Sequence, residues 1–261
     1  MHNHEELYKH ARVYDVAFGY RDFAAELAFL SACHARWGTG ATDSFLEVAA
    51  GPGVHAIVAA QVGLRATALD LAPDMMALCD RKAKAAGVHV TTMVGDMRAF
   101  VVEQPVALAF NPITSISYLR TVDALREHMR SIARALRPGG VYVVENNHPK
   151  DFFTDIHFVP SIWTMNEGSL TVKTTWLAEC PPRMDCAQQL YEAVARYEID
   201  DNGATSEVRD RAWLRMTLPG ELALAAELAG LEQRAILGDL DVNATYDDTG
   251  WRAVSVFVKP P

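Results

Sequence analysis

The run Glu47-Val48-Ala49-Ala50-Gly51-Pro52-Gly53-Val54-His55-Ala56 decides how this chain is read. The apolar segment Ser44 to Ala49 enters it as a strand, and the helical pattern Val54 to Gln61 leaves it. Glycines between a strand end and a helix start let backbone approach a ligand closely. The free N–H groups of the helix's first turn then face carbonyl or negatively charged oxygen. Read alone, Gly51-x-Gly53-x-x-Ala56 also fits the dinucleotide fingerprint, with Asp70 near the expected distance downstream. At this point NAD is an open alternative.

Working outward, Arg65 to Asp70 is the next strand, and Pro73 to Ala86 a helix opened by Pro73 and closed by Gly87. Strands recur at Val88 to Met93, Pro105 to Phe110 and Gly140 to Glu145. A helix from about Val122 to Leu136 precedes the last of these and stops at Pro138-Gly139-Gly140. Two closing strands are expected near Leu231 to Gly238 and Trp251 to Val258, after a helix running from Pro219-Gly220-Glu221 to near Gly230. Alternation at this spacing predicts a doubly wound, mostly parallel, seven-stranded α/β sheet with right-handed crossovers.

Two segments fall outside that rhythm. The first forty residues have apolar positions at Leu7, Ala11, Tyr14 and Phe18, then at Phe23, Leu27 and Leu30, which predicts helices ending at Gly38-Thr39-Gly40. After residue 150, Leu170 to Leu177, Gln188 to Glu198 and Val208 to Thr217 alternate apolar and polar residues around the turn Asp201-Asn202-Gly203. The expected organisation is a helical cap over 1–40, a core from 41–154 and 218–261, and an antiparallel β insertion over 155–217. The insertion would serve as a substrate lid or dimer surface.

Composition narrows the partners. The chain has 261 residues and a formal net charge of −9, without a run of Lys and Arg. That balance repels phosphate backbones, so nucleic acid is not expected. No uncharged apolar run approaches the roughly 20 residues of a membrane span, and the polar start lacks a secretory pattern, which predicts a soluble cytoplasmic protein. Cys33, Cys79, Cys180 and Cys186 have neither zinc nor disulfide spacing, so no metal is expected.

Three features weigh against NAD. Glu47 precedes Gly51 at the strand end, where a carboxylate repels a pyrophosphate but attracts amino and sulfonium charges. Gly95-Asp96-Met97-Arg98 ends the third strand, with Asp96 placed to accept from an exocyclic adenine amine and the Met97 N–H offered to a ring nitrogen. Asn111 to Leu119 follows the fourth strand, and Arg137-Pro138-Gly139-Gly140 introduces the fifth.

With Ser115-Ile116-Ser117-Tyr118-Leu119 added to these motifs, the chain resembles class I S-adenosylmethionine-dependent methyltransferases, strongly over about residues 40 to 150. Within them it is similar to bacterial small-molecule N-methyltransferases of the amino-sugar type. The resemblance implies a Rossmann-like methyltransferase fold with S-adenosylmethionine as cofactor. It implies that Glu47, Ala49, Gly51 and Gly53 hold the methionine portion and that Asp70, beside Leu71, binds the ribose hydroxyls. Met75 would pack near the adenine, whose polar edge Gly95, Asp96 and Met97 would read, while Tyr14 covers the cofactor. Glu47 departs from the commoner aspartate, and Ala49-Ala50 from the usual glycine and its neighbour.

Methyl transfer from a sulfonium is an in-line displacement with a strong leaving group already present, so the protein must mainly align the acceptor and exclude water. The acceptor is expected at the carboxyl ends of the strands. Tyr14, Asn111 and His148 are the catalytic candidates, His148 as general base because its unperturbed pKa lies near neutrality. Substrate candidates are Tyr20, Arg21, Thr114, Ser115, Tyr118, His148, Trp163 and Arg215, with Asn146, Asn147 and Tyr246 nearby in the pattern. Asn111-Pro112-Ile113-Thr114 partly matches the Asn-Pro-Pro-aromatic signature, with Thr114 where the aromatic would stand. His55 is expected to be structural, and His128 and His157 to lie on the surface. The leading expectation is methyl transfer to an amine nitrogen of a small molecule by a homodimer. A protein or peptide acceptor, O- or C-methylation, and a non-catalytic cofactor-binding subunit are the alternatives.

Overall fold

The computed structural model describes residues 10–153, 159–247 and 252–261; Leu7, His157 and Trp251 lie outside them. In chain order the elements are α1 (Ala11–Ala17), α2 (Phe23–Trp37), β1 (Ser44–Val48), α3 (Val54–Gln61), β2 (Arg65–Asp70), α4 (Pro73–Ala85), β3 (Val90–Val94), β4 (Val106–Asn111), a 3₁₀ turn (Ser115–Tyr118), α5 (Val122–Ala135) and β5 (Leu136–Asn147). Then come α6 (Lys150–Phe153), β6 (Ser161–Glu167), β7 (Leu170–Trp176), β8 (Met184–Asp185), β9 (Leu190–Asp201), β10 (Ala204–Arg215), α7 (Pro219–Glu227), β11 (Glu232–Leu237) and β12 (Arg252–Val258).

The described residues of 22–150 and 217–261 form one compact unit. Its seven-stranded sheet has the order β11-β12-β5-β4-β1-β2-β3. The strands β5, β4, β1, β2 and β3 pair in parallel, and β12 is antiparallel to both its neighbours. Local chemistry sets the helix starts. The Asp22 side chain accepts the Ala25 N–H at the head of α2, Thr121 does the same for Ala124 at α5, and Pro73 and Pro219 open α4 and α7. α5 and α7 bury their apolar stripes on one sheet face, with Leu46, Val48, Ala109, Tyr142, Val144 and Phe257. α2 packs on β4 and β5 from the alternate residues, the face that carries Phe110.

The second compact unit comprises the described residues of 1–21 and 151–216. Its sheet has the order β10-β9-β7-β6, with β8 on β9 and all pairs antiparallel. α1 lies on β6 and β7, where Val13, Val16 and Ala17 meet Leu170, Val172, Ala195 and Tyr197. The division between units at residues 21 and 22 passes through the segment expected as a single cap. α1 belongs with the antiparallel sheet and α2 with the parallel one.

Two details correct the expected pattern. Pro138-Gly139-Gly140 does not stop α5 ahead of a strand. β5 already begins at Leu136, and residues 137–140 bulge from it, because β4 pairs Val106 with Leu136 and Leu108 with Val141. β6 is absent from the three alternating segments expected in the insertion, although its partly buried Trp163 and Met165 alternate with the exposed Ile162, Thr164 and Asn166. Among the described residues no helix is long and apolar enough to cross a membrane.

Candidate functional site

The strand order reverses at β1, with β2 and β3 on one side and β4 and β5 on the other. The crevice at the carboxyl ends of the strands flanking such a reversal is where open α/β sheets take ligands. Asn111, the last residue of β4, spans that crevice, its Nδ2 donating to the Val48 carbonyl at 3.1 Å. Its side chain is fully buried, yet Oδ1 has no partner among the described residues. A buried carbonyl oxygen without a donor calls for a water or a ligand.

On the β1 side the glycine loop turns through three left-handed residues, Ala49, Gly51 and Gly53, with φ of 55°, 53° and 70°. Gly53 is doubly required, since a Cβ there would stand 2.3 Å from the Cys79 Sγ. The Gly51 N–H donates to Asp70 Oδ2 at 2.7 Å, and Asp70 Oδ1 accepts from Ala72 N at 2.9 Å. One carboxylate at the end of β2 thus ties the glycine loop to the start of α4. Burial raises the Asp70 pKa against those backbone donors. Leu71 is exposed beside it.

Glu47 corrects an expectation. It is 1% exposed, and both its oxygens are taken by protein: Oε1 lies 2.7 Å from His55 Nδ1, and Oε2 accepts from Ala56 N at 2.9 Å. The other ring nitrogen of His55, Nε2, is 2.7 Å from Glu26 Oε2. An ionised carboxylate only accepts, so both ring nitrogens donate and the ring is an imidazolium. Burial alone would lower the His55 pKa, but Glu47 and Glu26 together hold it at about 9. The rings of Phe23 and Phe110 close on it edge-on at 4.9 and 5.1 Å. Glu47 therefore acts on the loop through the first turn of α3 rather than by presenting a bare charge. Met75 is also fully buried, in the core face of α4, and its apolar side chain asks for no ligand.

Beyond β3, Gly95 N–H donates to the Asp70 carbonyl at 2.9 Å. The Asp96 carboxylate takes three bonds from Arg98, from its backbone N–H at 2.8 Å, its Nε at 2.9 Å and its Nη2 at 2.5 Å. Those donors lower the Asp96 pKa and keep it ionised. His128 is not on the surface as expected. It is fully buried on the inner stripe of α5, 2.9 Å from the Met97 carbonyl and 2.7 Å from the Tyr142 hydroxyl. Burial lowers its pKa to about 4. The helical stripe of Leu125, Met129 and Ile132 carries this signal in the sequence, because His128 falls on it.

The loop after β4 is strained, with Ile113 and Thr114 both left-handed at φ of 50° and 58°. Glu145, missed in the sequence, pins it by accepting Ile113 N–H at 3.0 Å while facing Arg252 at 3.2 Å. Thr114 Oγ1 donates to Asn147 Oδ1 at 3.4 Å. Ser115 is partly buried and Tyr118 exposed. Asn146 donates through Nδ2 to the Thr217 carbonyl, and its buried Oδ1 has no partner among the described residues. The buried Ser117 and Thr217 hydroxyls share that condition. His148, 3% exposed and 5.0 Å from the Tyr246 ring, accepts Lys150 N–H on Nδ1 at 3.1 Å. In the neutral ring the proton then sits on Nε2, also buried and without a partner among the described residues. That tautomer offers a donor where a base was expected.

The remaining candidates lie in the other compact unit. Tyr14 stacks on Phe18 at 4.5 Å, and the Trp163 ring meets Phe18 and Tyr20 edge-on at 5.7 and 6.1 Å. Trp163 Nε1 donates to the Ala17 carbonyl at 2.7 Å, and Tyr20 is exposed. Arg21 and Arg215 are buried, and Arg215 donates to the Gln188 carbonyl at 3.1 Å and to Gln189 Oε1 at 2.5 Å.

Residues 45–140 match the family model described as a methyltransferase domain. The chain is 33% identical over 138 residues to a dTDP-3-amino-3,4,6-trideoxy-alpha-D-glucopyranose N,N-dimethyltransferase of Streptomyces venezuelae, covering 52% of this chain and 56% of that one. It is 33% identical over 152 residues to a dTDP-4-amino-2,3,4,6-tetradeoxy-D-glucose N,N-dimethyltransferase of Saccharopolyspora spinosa, covering 56% and 57%. The matched stretch thus spans little more than half the length of these relatives. In three dimensions the chain is similar to an S-adenosylmethionine-dependent methyltransferase from Clostridium acetobutylicum, with TM-score 0.78 and 14% identity over 97% of this chain and 98% of that one. The chain accordingly shares the doubly wound α/β fold of that structure.

Proposed function

We propose that the chain is an S-adenosylmethionine-dependent methyltransferase acting on an amine nitrogen of a small molecule, of the amino-sugar type that its two sugar-modifying relatives are named for. The observation that carries this is the buried Asn111 Oδ1, which has no partner among the described residues, at the sheet's reversal point between the glycine loop and the Asn146–His148 turn. S-adenosylmethionine, when bound, supplies an activated methyl on a sulfonium that leaves as a neutral thioether.

The residues fit that group. The left-handed Ala49–Gly53 loop frames the methionine portion, with Glu47 steadying it from behind. Each Asp70 oxygen keeps a lone pair beyond its backbone bond, one for each ribose hydroxyl. Leu71 borders the ribose, and Gly95, Asp96 and Met97 read the adenine edge. Asn111 Oδ1 accepts an N–H at the reacting centre, orienting the acceptor lone pair along the line of displacement. Asn146 Oδ1 offers a second acceptor, and His148 Nε2–H donates to an oxygen of the substrate. Proton loss from the amine goes to solvent in this reading, since His148 Nδ1 is occupied by Lys150.

For the unit with the antiparallel sheet this reading assigns the role of substrate lid, and it assigns Tyr14 to cofactor binding and Tyr20, Arg21, Trp163 and Arg215 to acceptor binding. The mostly exposed strand β6 offers an edge for a homodimer. A cytoplasmic location without a nucleic-acid partner accords with the net charge of −9.

Calorimetric titration with S-adenosylhomocysteine, with NAD in parallel, tests the cofactor. Asp70→Asn removes charge-assisted acceptors and should weaken S-adenosylhomocysteine by about tenfold to a hundredfold. Binding of NAD instead would overturn the reading. Transfer of methyl to nucleotide-linked amino sugars, but not to peptides, would establish the acceptor class.

A further inference from the structure

Met97 belongs to a loop whose two following peptide groups are held from the protein interior. The Met97 carbonyl is 2.9 Å from His128 Nδ1, and the Arg98 carbonyl accepts from Ser131 Oγ at 2.7 Å. The N–H of the Met97–Arg98 peptide is taken by Asp96 Oδ1 at 2.8 Å. Ala99 N–H closes the turn onto the Asp96 carbonyl at 2.9 Å. Both ends of the peptide next to the Met97 N–H are therefore fixed, and the direction of that N–H with them.

The chemistry dictates every proton in this arrangement. A carbonyl only accepts, so His128 Nδ1 must carry the hydrogen. Nε2 is then a lone pair, and the fully buried Tyr142 hydroxyl, 2.7 Å away, must donate to it. The chain of bonds runs from β5 through α5 to the loop after β3, all within one compact unit.

We infer that His128 and Ser131 are positioning residues that set nucleobase selectivity, by locking the loop whose Asp96 carboxylate and Met97 N–H read the adenine edge. This rests on the reading above that Asp96 and Met97 meet the adenine. Adenine presents an amine and a bare ring nitrogen there, whereas the 6-oxo base presents a carbonyl and a ring N–H. A rigid acceptor–donor pair accepts the first and rejects the second, because the mismatched groups are left buried and unpaired. A loosened loop turns its N–H aside and loses that distinction.

The test compares S-adenosylhomocysteine with S-inosylhomocysteine by calorimetry on the full chain. Ser131→Ala and His128→Gln are the main variants, because His128→Leu strands the Tyr142 hydroxyl and is the one at risk of misfolding. Each should weaken S-adenosylhomocysteine by about threefold to tenfold, the range of one hydrogen bond, while the 6-oxo analogue changes less than about twofold. The selectivity ratio therefore falls, which a merely structural role would not produce. Equal loss for both ligands, or no change in either, overturns the inference and leaves the cofactor reading intact. Absence of S-adenosylhomocysteine binding to the unmodified protein overturns both. Independently of any ligand, ¹⁵N spectra of the imidazole should show His128 protonated on Nδ1 and bare on Nε2. The reverse tautomer would break the chain of bonds on which the inference stands.

Discussion

Two loops flank the sheet's reversal side, and each is mounted on a buried histidine, but by opposite physics. Behind the glycine loop, His55 is an imidazolium clasped by Glu47 and Glu26 at 2.7 Å each. Behind the Met97 loop, His128 is a neutral ring between a carbonyl and a hydroxyl. The first mount is strong only while a charge is present, and the second only while a charge is absent. Residue type thus says little about a histidine's role; what surrounds it decides whether it is a cation or a hydrogen-bond relay.

Removing each ring is the sharpest way to break the comparison. His55→Leu removes the cation shared by two buried carboxylates and should cost about 3–5 kcal/mol in urea unfolding. His128→Leu leaves only neutral groups unpaired and should cost about 1–3 kcal/mol. Equal losses would mean that the two mounts do not differ in charge.

The pH dependence should run in opposite directions. The His55 pKa rises from 6.5 unfolded to about 9 folded, so its contribution is full below pH 6.5 and is lost as pH rises through 9. The His128 pKa falls from 6.5 to about 4, so its contribution is full above pH 6.5 and is lost as pH falls through 4. Each shift corresponds to about 3 kcal/mol across its window. Unfolding midpoints of the unmodified protein and both variants from pH 4 to 9 check this. The His55→Leu deficit should shrink on the alkaline side and the His128→Leu deficit on the acid side.

The glycines sharpen the contrast at a smaller scale. Gly53→Ala meets a left-handed backbone and the Cys79 sulfur, and should destabilise by about 1–3 kcal/mol. Gly95→Ala meets only the end of the Leu69 side chain, at 3.1 Å, and should cost under about 1 kcal/mol. Thermal midpoints of the two variants distinguish them.

How much of this was legible beforehand follows from what kind of signal each part leaves. Val54–Gln61 and Arg65–Asp70 were readable to the residue because glycines and apolar runs bound them. The helix after Pro73 was readable because proline and glycine mark its ends. β6 is faint because its alternation is short, resting on Trp163 and Met165 with the apolar Ile162 on the exposed side. The glycine loop and Asp70 announce themselves through spacing, whereas Glu26 reaches His55 across 29 positions and leaves no local pattern. Glu145 is equally silent, since its work is to hold the Ile113 backbone 32 positions away. His128 was legible in principle and was misread by residue type, although its neighbours on the α5 stripe are apolar.

The order of segments in the chain also governs how the protein is made. Residues 252–258 cover the outer edge of β5, pairing from Val141 to Asn147. They leave the ribosome only after the whole antiparallel sheet has been synthesised. At about 5–20 residues per second, the β5 edge stands uncovered for roughly 5–20 s. An apolar strand with unpaired backbone groups is a template for association with other nascent chains. Truncation ahead of β12 should therefore yield a chaperone-dependent, aggregating product rather than a slightly smaller stable protein.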